Sequence, residues 1–143
     1  MEGIEAVIWA DAHENTVRKV VNRFGKKVTF NNGGYRIGIL VEKEGEKKEF
    51  VFYNTRCPDQ FAGECFSVLK AVEVAKEMGF KKIVIRNDRI DSFYATTKWG
   101  YIGMKYLYIA RKLSEDEGID VEFKICSSVE NKADGLSRRG LEE

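Results

Sequence analysis

The sequence is short of the residues on which many enzymes and most secreted folds rely. It has one histidine, His13, one proline, Pro58, and three cysteines, Cys57, Cys65 and Cys126, in 143 residues. An odd number of cysteines without C-x-x-C spacing gives neither a disulfide framework nor a zinc knuckle, and reads as buried, reduced thiols. There is no Ser-His-Asp arrangement, no Cys-His pair of useful spacing and no Gly-rich phosphate loop followed by Lys-Ser or Lys-Thr. No secretory apolar region opens the chain and no run approaches the roughly 20 apolar residues that span a bilayer, so the expectation is a soluble, cytoplasmic protein with no membrane partner. Excess charge is missing too. The 24 basic residues nearly cancel the 23 acidic ones, leaving a formal charge of +1. The whole-protein field therefore does little to attract phosphate, and a nucleic-acid partner would need local basic patches or metal ions.

What the chain does have is apolar material, 43% hydrophobic and 12% aromatic, enough for the core of one compact domain. Residues 4–9 form a short apolar run leading to Asp11, a buried strand with a carboxylate at its C-terminal end. Val17, Val20, Val21 and Phe24 recur at helical spacing and stop at Gly25, which predicts an amphipathic helix of two or three turns. Asn31-Asn32-Gly33-Gly34 is a turn signal. Two β-prone stretches follow, 35–42 and 48–54, joined around Gly45 as a hairpin. From Phe61 to Met78 the period turns helical, with Phe61, Cys65, Val68, Leu69, Val72 and Ala75 on one face and Gly79 ending it. Glu64 lies one turn inside this helix beside the apolar stripe, so it either faces the core with a partner or a metal, or reaches out to water. Residues 81–86 are a short strand with Asn87-Asp88 at its C-terminal end. A turn or helix over 91–98, a helix over 100–117, a strand over 119–125 with apolar residues at alternate positions, and a terminal helix over 131–138 containing Asp134 complete the pass.

Hairpin-linked strands followed by helix-linked strands predict an α/β protein with a mixed sheet covered by helices. In such a sheet, sites gather beyond the C-terminal ends of parallel strands. Asp11 and Asp88 take that position, and Glu64 and Asp134 come from helices able to pack alongside. Four acids at one place repel unless divalent cations neutralise them, and hard oxygen ligands select magnesium, with manganese as substitute, over zinc. Two such ions about 3.5–4 Å apart suit phosphodiester hydrolysis without a nucleophilic side chain. Asp91, three residues after Asp88, competes with it for the ligand role.

Over about residues 4–12 and 35–138 the chain resembles the ribonuclease H family, including the domains of retroelement polyproteins. The segments that carry the likeness are Ile8-Trp9-Ala10-Asp11, the Glu-led helix from Glu64 to Glu77, Ile83-Val84-Ile85-Arg86-Asn87-Asp88, and Glu130-Asn131-Lys132-Ala133-Asp134-Gly135-Leu136-Ser137-Arg138. The resemblance implies a ribonuclease H-like five-stranded mixed sheet, the first three strands antiparallel and the rest parallel, in a single domain over 1–143. It implies an endonuclease that cuts the RNA strand of an RNA–DNA hybrid, with double-stranded RNA as a further partner. It implies that Asp11 bridges two Mg2+ ions, Glu64 and Asp88 complete the site orienting the attacking water, and Asp134 holds the second ion. Gln60 falls where the family places a minor-groove contact, and Arg138 with Arg139 would meet phosphate.

The departures from the family pattern are an atypical insertion at about 14–34, a loop Cys126-Ser127-Ser128-Val129 without the usual histidine, which His13 could replace, and only nine residues after Asp134. Arg18, Lys19, Arg23, Lys26 and Lys27 in the insertion would grip phosphates or form a solvated face. Trp99, Tyr101, Tyr106 and Tyr108 would stack on nucleic acid or, at helical spacing, mostly belong to the core. Two other readings fit the same residues: a related nuclease of DNA or RNA duplexes, and a catalytically weak or inactive ribonuclease H-like nucleic-acid-binding module of a larger machine.

Overall fold

The computed structural model describes residues 3–15, 18–23, 25–31, 34–94 and 101–139, and within 18–23 and 26–31 the backbone alone. Five strands form one sheet in the order β5-β4-β1-β6-β7, where β1 is Ala6–Glu14, β4 Tyr35–Lys43, β5 Glu46–Asn54, β6 Lys82–Asn87 and β7 Asp120–Ile125. β1, β4 and β5 are antiparallel neighbours, while β1-β6 and β6-β7 are parallel. This is the expected mixed sheet. The β4–β5 hairpin turns on Glu44 and Gly45, both at positive φ (50° and 82°), the conformation whose twist matches that of the flanking strands.

Helix α1, Gln60–Glu77, starts where the Asp59 carboxylate accepts from the Ala62 amide at 2.8 Å, and Gly79 at φ 77° closes it. Its apolar stripe, with Cys65, Val68 and Val72 fully buried, packs on Ile8, Ala10, Ile37, Ile39, Ile83 and Ile85 of the sheet. Helix α2, Tyr101–Glu117, lies beside α1 and buries Leu107 and Ala110. The opposite sheet face carries a smaller cluster of Trp9, Leu40 and Cys126 with Ala133 and Leu136. Cys57, Cys65 and Cys126 are free and buried, and burial pushes their thiols up to about 11, 12 and 11.

Several local expectations are corrected. The helix over 17–24 is instead a strand, β2 (Arg18–Arg23), paired antiparallel with β3 (Lys26–Asn31) in a separate two-stranded sheet. Three valines offer helical spacing, but β-branched side chains favour extended backbone, and Gly25 at φ 73° lets the chain turn back; Val17 and Phe24 themselves lie outside the described residues. Asp11 sits within its strand, not at the end, because the antiparallel ladder with β4 continues to Glu14. The parallel ladder with β6 stops at Trp9, so Asp11 still lies beyond the carboxyl end of the parallel part. Ile125 does not continue the inward alternation of β7 and is 55% exposed. Finally, the terminal helix is shorter, α3 being Asp134–Arg139 with Asp134 as its first residue, since 128–130 and 132–133 are turns. Trp99 lies outside the described residues, and Tyr101 and Tyr108 are exposed rather than core, while Tyr106 packs edge-on against Phe66.

The seating of α3 depends on one glycine. Gly38, directly opposite Asp11 in the ladder, has no side chain, and a Cβ there would lie 2.7 Å from both Leu136 Cβ and the Ser137 amide nitrogen. Those are backbone and inner side-chain atoms that cannot swing away. Replacing Gly38 by Ala is therefore expected to lift α3 and to cost about 1–3 kcal/mol of stability, read as a lower urea midpoint; an unchanged midpoint would show that α3 is not packed this closely.

Candidate active site

Three elements bring carboxylates to one point. Asp11 comes from β1, Glu64 from the second turn of α1 and Asp88 from the residue after β6, and one oxygen of each lies within 4.8 Å of the others. The first two are nearly inaccessible, Asp11 at 4% and Glu64 at 1% exposure. They open onto a cleft of about 450 Å³ that is also lined by His13, Gln60, Arg89, Ser128, Asp134 and Arg138.

The buried acids are held by specific donors. The Ala12 amide donates to Glu64 Oε1 at 2.6 Å, and the Ser137 hydroxyl donates to Asp11 Oδ2 at 2.6 Å. Asn87 and Asn131 both donate through Nδ2 to the Ala10 carbonyl, at 2.9 and 3.0 Å, so β6 and the segment before α3 are tied to the strand just ahead of Asp11. Close approach of α1 to β1 is possible because residue 63 is glycine: a Cβ there would come within 2.9 Å of the Tyr35 ring and 3.3 Å of Ala12 Cβ. These positions were not singled out from the sequence. Asn131 and Ser137 lie inside the closing motif and Asn87 immediately before Asp88, so adjacency to the candidate acids was the available signal.

Burial and like charge dominate the electrostatics. Removal from water pushes Asp11 up to about 6, with the nearby Asp88 and Asp134 charges acting in the same direction against the Ser137 hydrogen bond. Glu64 is held well above the usual carboxylate range, first by burial and then by Asp11 and by its contact with Asp88. Asp134 stands apart from the triad. It lines the cleft, half-buried, and its carboxylate accepts from Arg138 Nε at 3.0 Å. Asp91 is exposed and does not line the cleft, so Asp88 is the acid that joins the cluster. His13 lines the cleft with its basicity lowered, by burial and then by the Arg138 charge. Gln60 is there as well, but its amide already donates to the Ala12 carbonyl at 2.7 Å. Arg139 is exposed on α3 and does not line the cleft.

The same architecture occurs in solved structures that are only distantly similar in sequence. The ribonuclease H1 of the halophilic archaeon Halobacterium salinarum NRC-1 superimposes with a TM-score of 0.69 at 17% identity, over 94% of this chain and 96% of that one. The fold is that of ribonuclease H. LC11 ribonuclease H1, crystallised with an RNA/DNA hybrid, gives 0.64 at 17% identity over 94% of each chain. The N-terminal ribonuclease H domain of a Mycobacterium tuberculosis protein, fused to maltose-binding protein, gives 0.62 at 14% identity over 96% of this chain and 93% of that one. No protein-family model matches the sequence, and no curated protein matches it significantly. Among the described residues no helix is long and apolar enough to cross a membrane.

Within this ribonuclease H fold the donor set suits a hard divalent cation: carboxylate oxygens alone, converging, and without a basic side chain among the charges that act on Glu64. Asp11 also fixes the sign of a pH effect. With its carboxyl at about 6 in the folded protein and near 3.8 when unperturbed, the metal-free fold binds that proton more tightly than the unfolded chain. The stability this confers is complete below about pH 4 and is lost as pH rises through 6. Measured in chelator, the parent should lose on the order of 2–3 kcal/mol relative to Asp11→Asn between pH 4 and pH 7. Manganese should restore the parent at pH 7 and leave the variant where it was. Parallel pH profiles for the two proteins would remove the buried-charge argument.

Proposed function

We propose that this protein is a metal-dependent endonuclease that hydrolyses phosphodiester bonds of the RNA strand in RNA–DNA hybrids. The observation that carries this reading is the convergence of Asp11, Glu64 and Asp88 in an open cleft of a ribonuclease H fold. Asp11, Glu64, Asp88 and, from the rim, Asp134 would hold two magnesium ions, for which manganese can substitute. When bound, the ions supply an activated water and neutralise the departing oxygen.

The chain's own part is to hold these oxygens ready and to receive the substrate. Ser137 and the Ala12 amide fix the orientation of Asp11 and Glu64, so that little conformational freedom remains to be lost on binding. Arg89 and Arg138 put guanidinium groups at the cleft for the phosphates on either side of the scissile one. His13, kept neutral at physiological pH by burial and by Arg138, can accept a proton at the same rim. Gln60 retains its carbonyl oxygen for a 2′-hydroxyl or base edge, since its amide group is committed to Ala12. Support for the hybrid as substrate comes from the architecture shared with LC11 ribonuclease H1, a protein seen bound to one.

Cleavage of end-labelled hybrid, RNA duplex and DNA duplex in magnesium tests the reading. The hybrid's RNA strand should be cut preferentially. Asp11→Asn and Asp88→Asn should each lower the rate by at least about a hundredfold, more than is typical for residues one step removed from a metal, with the circular dichroism spectrum retained. Asp91→Asn should stay within about tenfold of the parent. Equal loss in the Asp88 and Asp91 variants would assign the site wrongly, and an uncut hybrid would end the nuclease reading.

A further inference from the structure

The β2–β3 hairpin leaves the main sheet from the end of the β1–β4 ladder. Glu14 stands opposite Tyr35, the Asn15 amide donates to the Gly34 carbonyl at 2.9 Å, and Arg18 stands opposite Asn31. Residues 15 and 34, which flank the hairpin in sequence, are still paired at the end of the β1–β4 ladder, so the hairpin leaves the sheet at that end. That end is the one at which the acidic cleft opens. The base of the hairpin is tied to the cleft rim through Arg36, whose Nη2 donates to Asn15 Oδ1 and whose Nη1 donates to the Arg138 carbonyl at 2.6 Å.

Charge is divided unevenly between this extension and the rest. Residues 15–34 include Arg18, Lys19, Arg23, Lys26 and Lys27 and no acid. With the whole chain at +1, these five charges leave the remaining residues at −4. Outside this extension basic and acidic residues are interspersed with a small acidic excess, whereas here the charge is all of the sign that attracts a polyanion. Within the hairpin Arg23 stands directly opposite Lys26, and Lys27 is the next residue on β3, so three of the five basic residues gather at its tip. Among the described residues β2 and β3 pair only with each other. A two-stranded ribbon of this kind is marginal alone in water, as suits an element completed by a partner. Six residues per strand extend on the order of 20 Å, about six nucleotide steps along one strand of a duplex.

We propose that the β2–β3 hairpin is an arm that follows the sugar–phosphate backbone of the nucleic-acid duplex held at the acidic cleft. This rests on the nuclease reading for which duplex it is, but not for the interaction itself. The recognition is of phosphate charge rather than of base sequence.

The test is binding of a labelled RNA–DNA hybrid by fluorescence anisotropy across a range of salt, in an Asp11→Asn background that separates binding from turnover. Two variants are compared with that parent: one in which Arg18, Lys19, Arg23, Lys26 and Lys27 are all changed to Gln, and one with only Arg23→Gln and Lys26→Gln. The full variant should bind at least about tenfold more weakly at physiological salt, and the slope of log Kd against log salt should fall by about two to four, near one for each phosphate that the arm no longer neutralises. The pair should fall between. Circular dichroism establishes that each is folded, and the pair decides the matter if the full variant is not. A slope and Kd matching the parent would overturn the arm, even if the wild-type chain cleaves hybrid. A reduced slope with no cleavage by the wild type would keep the arm and discard the nuclease.

Discussion

Two carboxylates of like charge, Asp11 and Glu64, lie together under the surface, and the surrounding structure is arranged around that unfavourable pair. Burial disfavours each ionised form and proximity disfavours having both. An arrangement of this kind costs folding free energy unless something charged and opposite arrives, so the fold must supply enough rigid packing elsewhere to carry it. The fully buried Ile8, Ile37, Ile39, Ile83 and Ile85, closed over by Val68 and Val72, are that supply. Stability stored in the sheet core is what permits an acidic site at its edge.

Holding the pair at a fixed geometry needs two helices nearer to the β1–β4 ladder than ordinary side chains allow. Gly63 admits α1, which carries Glu64, and Gly38 admits α3, which carries Ser137. The amides of Asn87 and Asn131 meet on a single carbonyl, that of Ala10, and tie the end of β6 and the segment before α3 to the same residue of β1. Each acid therefore has its own element and its own tether, and β1 is common to all of them. The topology explains why this strand is central: it is the one that is antiparallel to β4 on one side and parallel to β6 on the other, so its residues past Trp9 lose a partner on one edge and face the cleft.

Much of this is legible in the sequence and the remainder is not, for physical reasons. The helix over α1 announces itself by apolar period and terminal glycine, the β4–β5 hairpin by Gly45, and the acids by their places in four ordered motifs. Val17, Val20, Val21 and Phe24 mislead because spacing and residue type disagree: the period is helical, the β-branched side chains are not, and pairing with 26–31, which no local window contains, makes the choice. The apolar run alone ends near Asp11 and so puts it at a strand end, whereas the strand's true length is set by β4. Ser137, Asn87 and Asn131 are marked in the sequence only by lying next to candidate acids, and their roles are not legible there because each acts through a hydrogen bond to a residue between 77 and 126 positions away.

The fourth acid shows how differently one cleft can treat similar groups. Asp134 opens a helix of six residues, is accessible to water, and is matched by Arg138 one turn on. Asp134 thus has a cationic partner within the chain, whereas burial and neighbouring acids are what raise Asp11 and Glu64. On the proposed metal-dependent reading, a cation would gain most at the triad, where it would relieve a buried repulsion, whereas at Asp134 it would compete with a guanidinium that already partners the carboxylate.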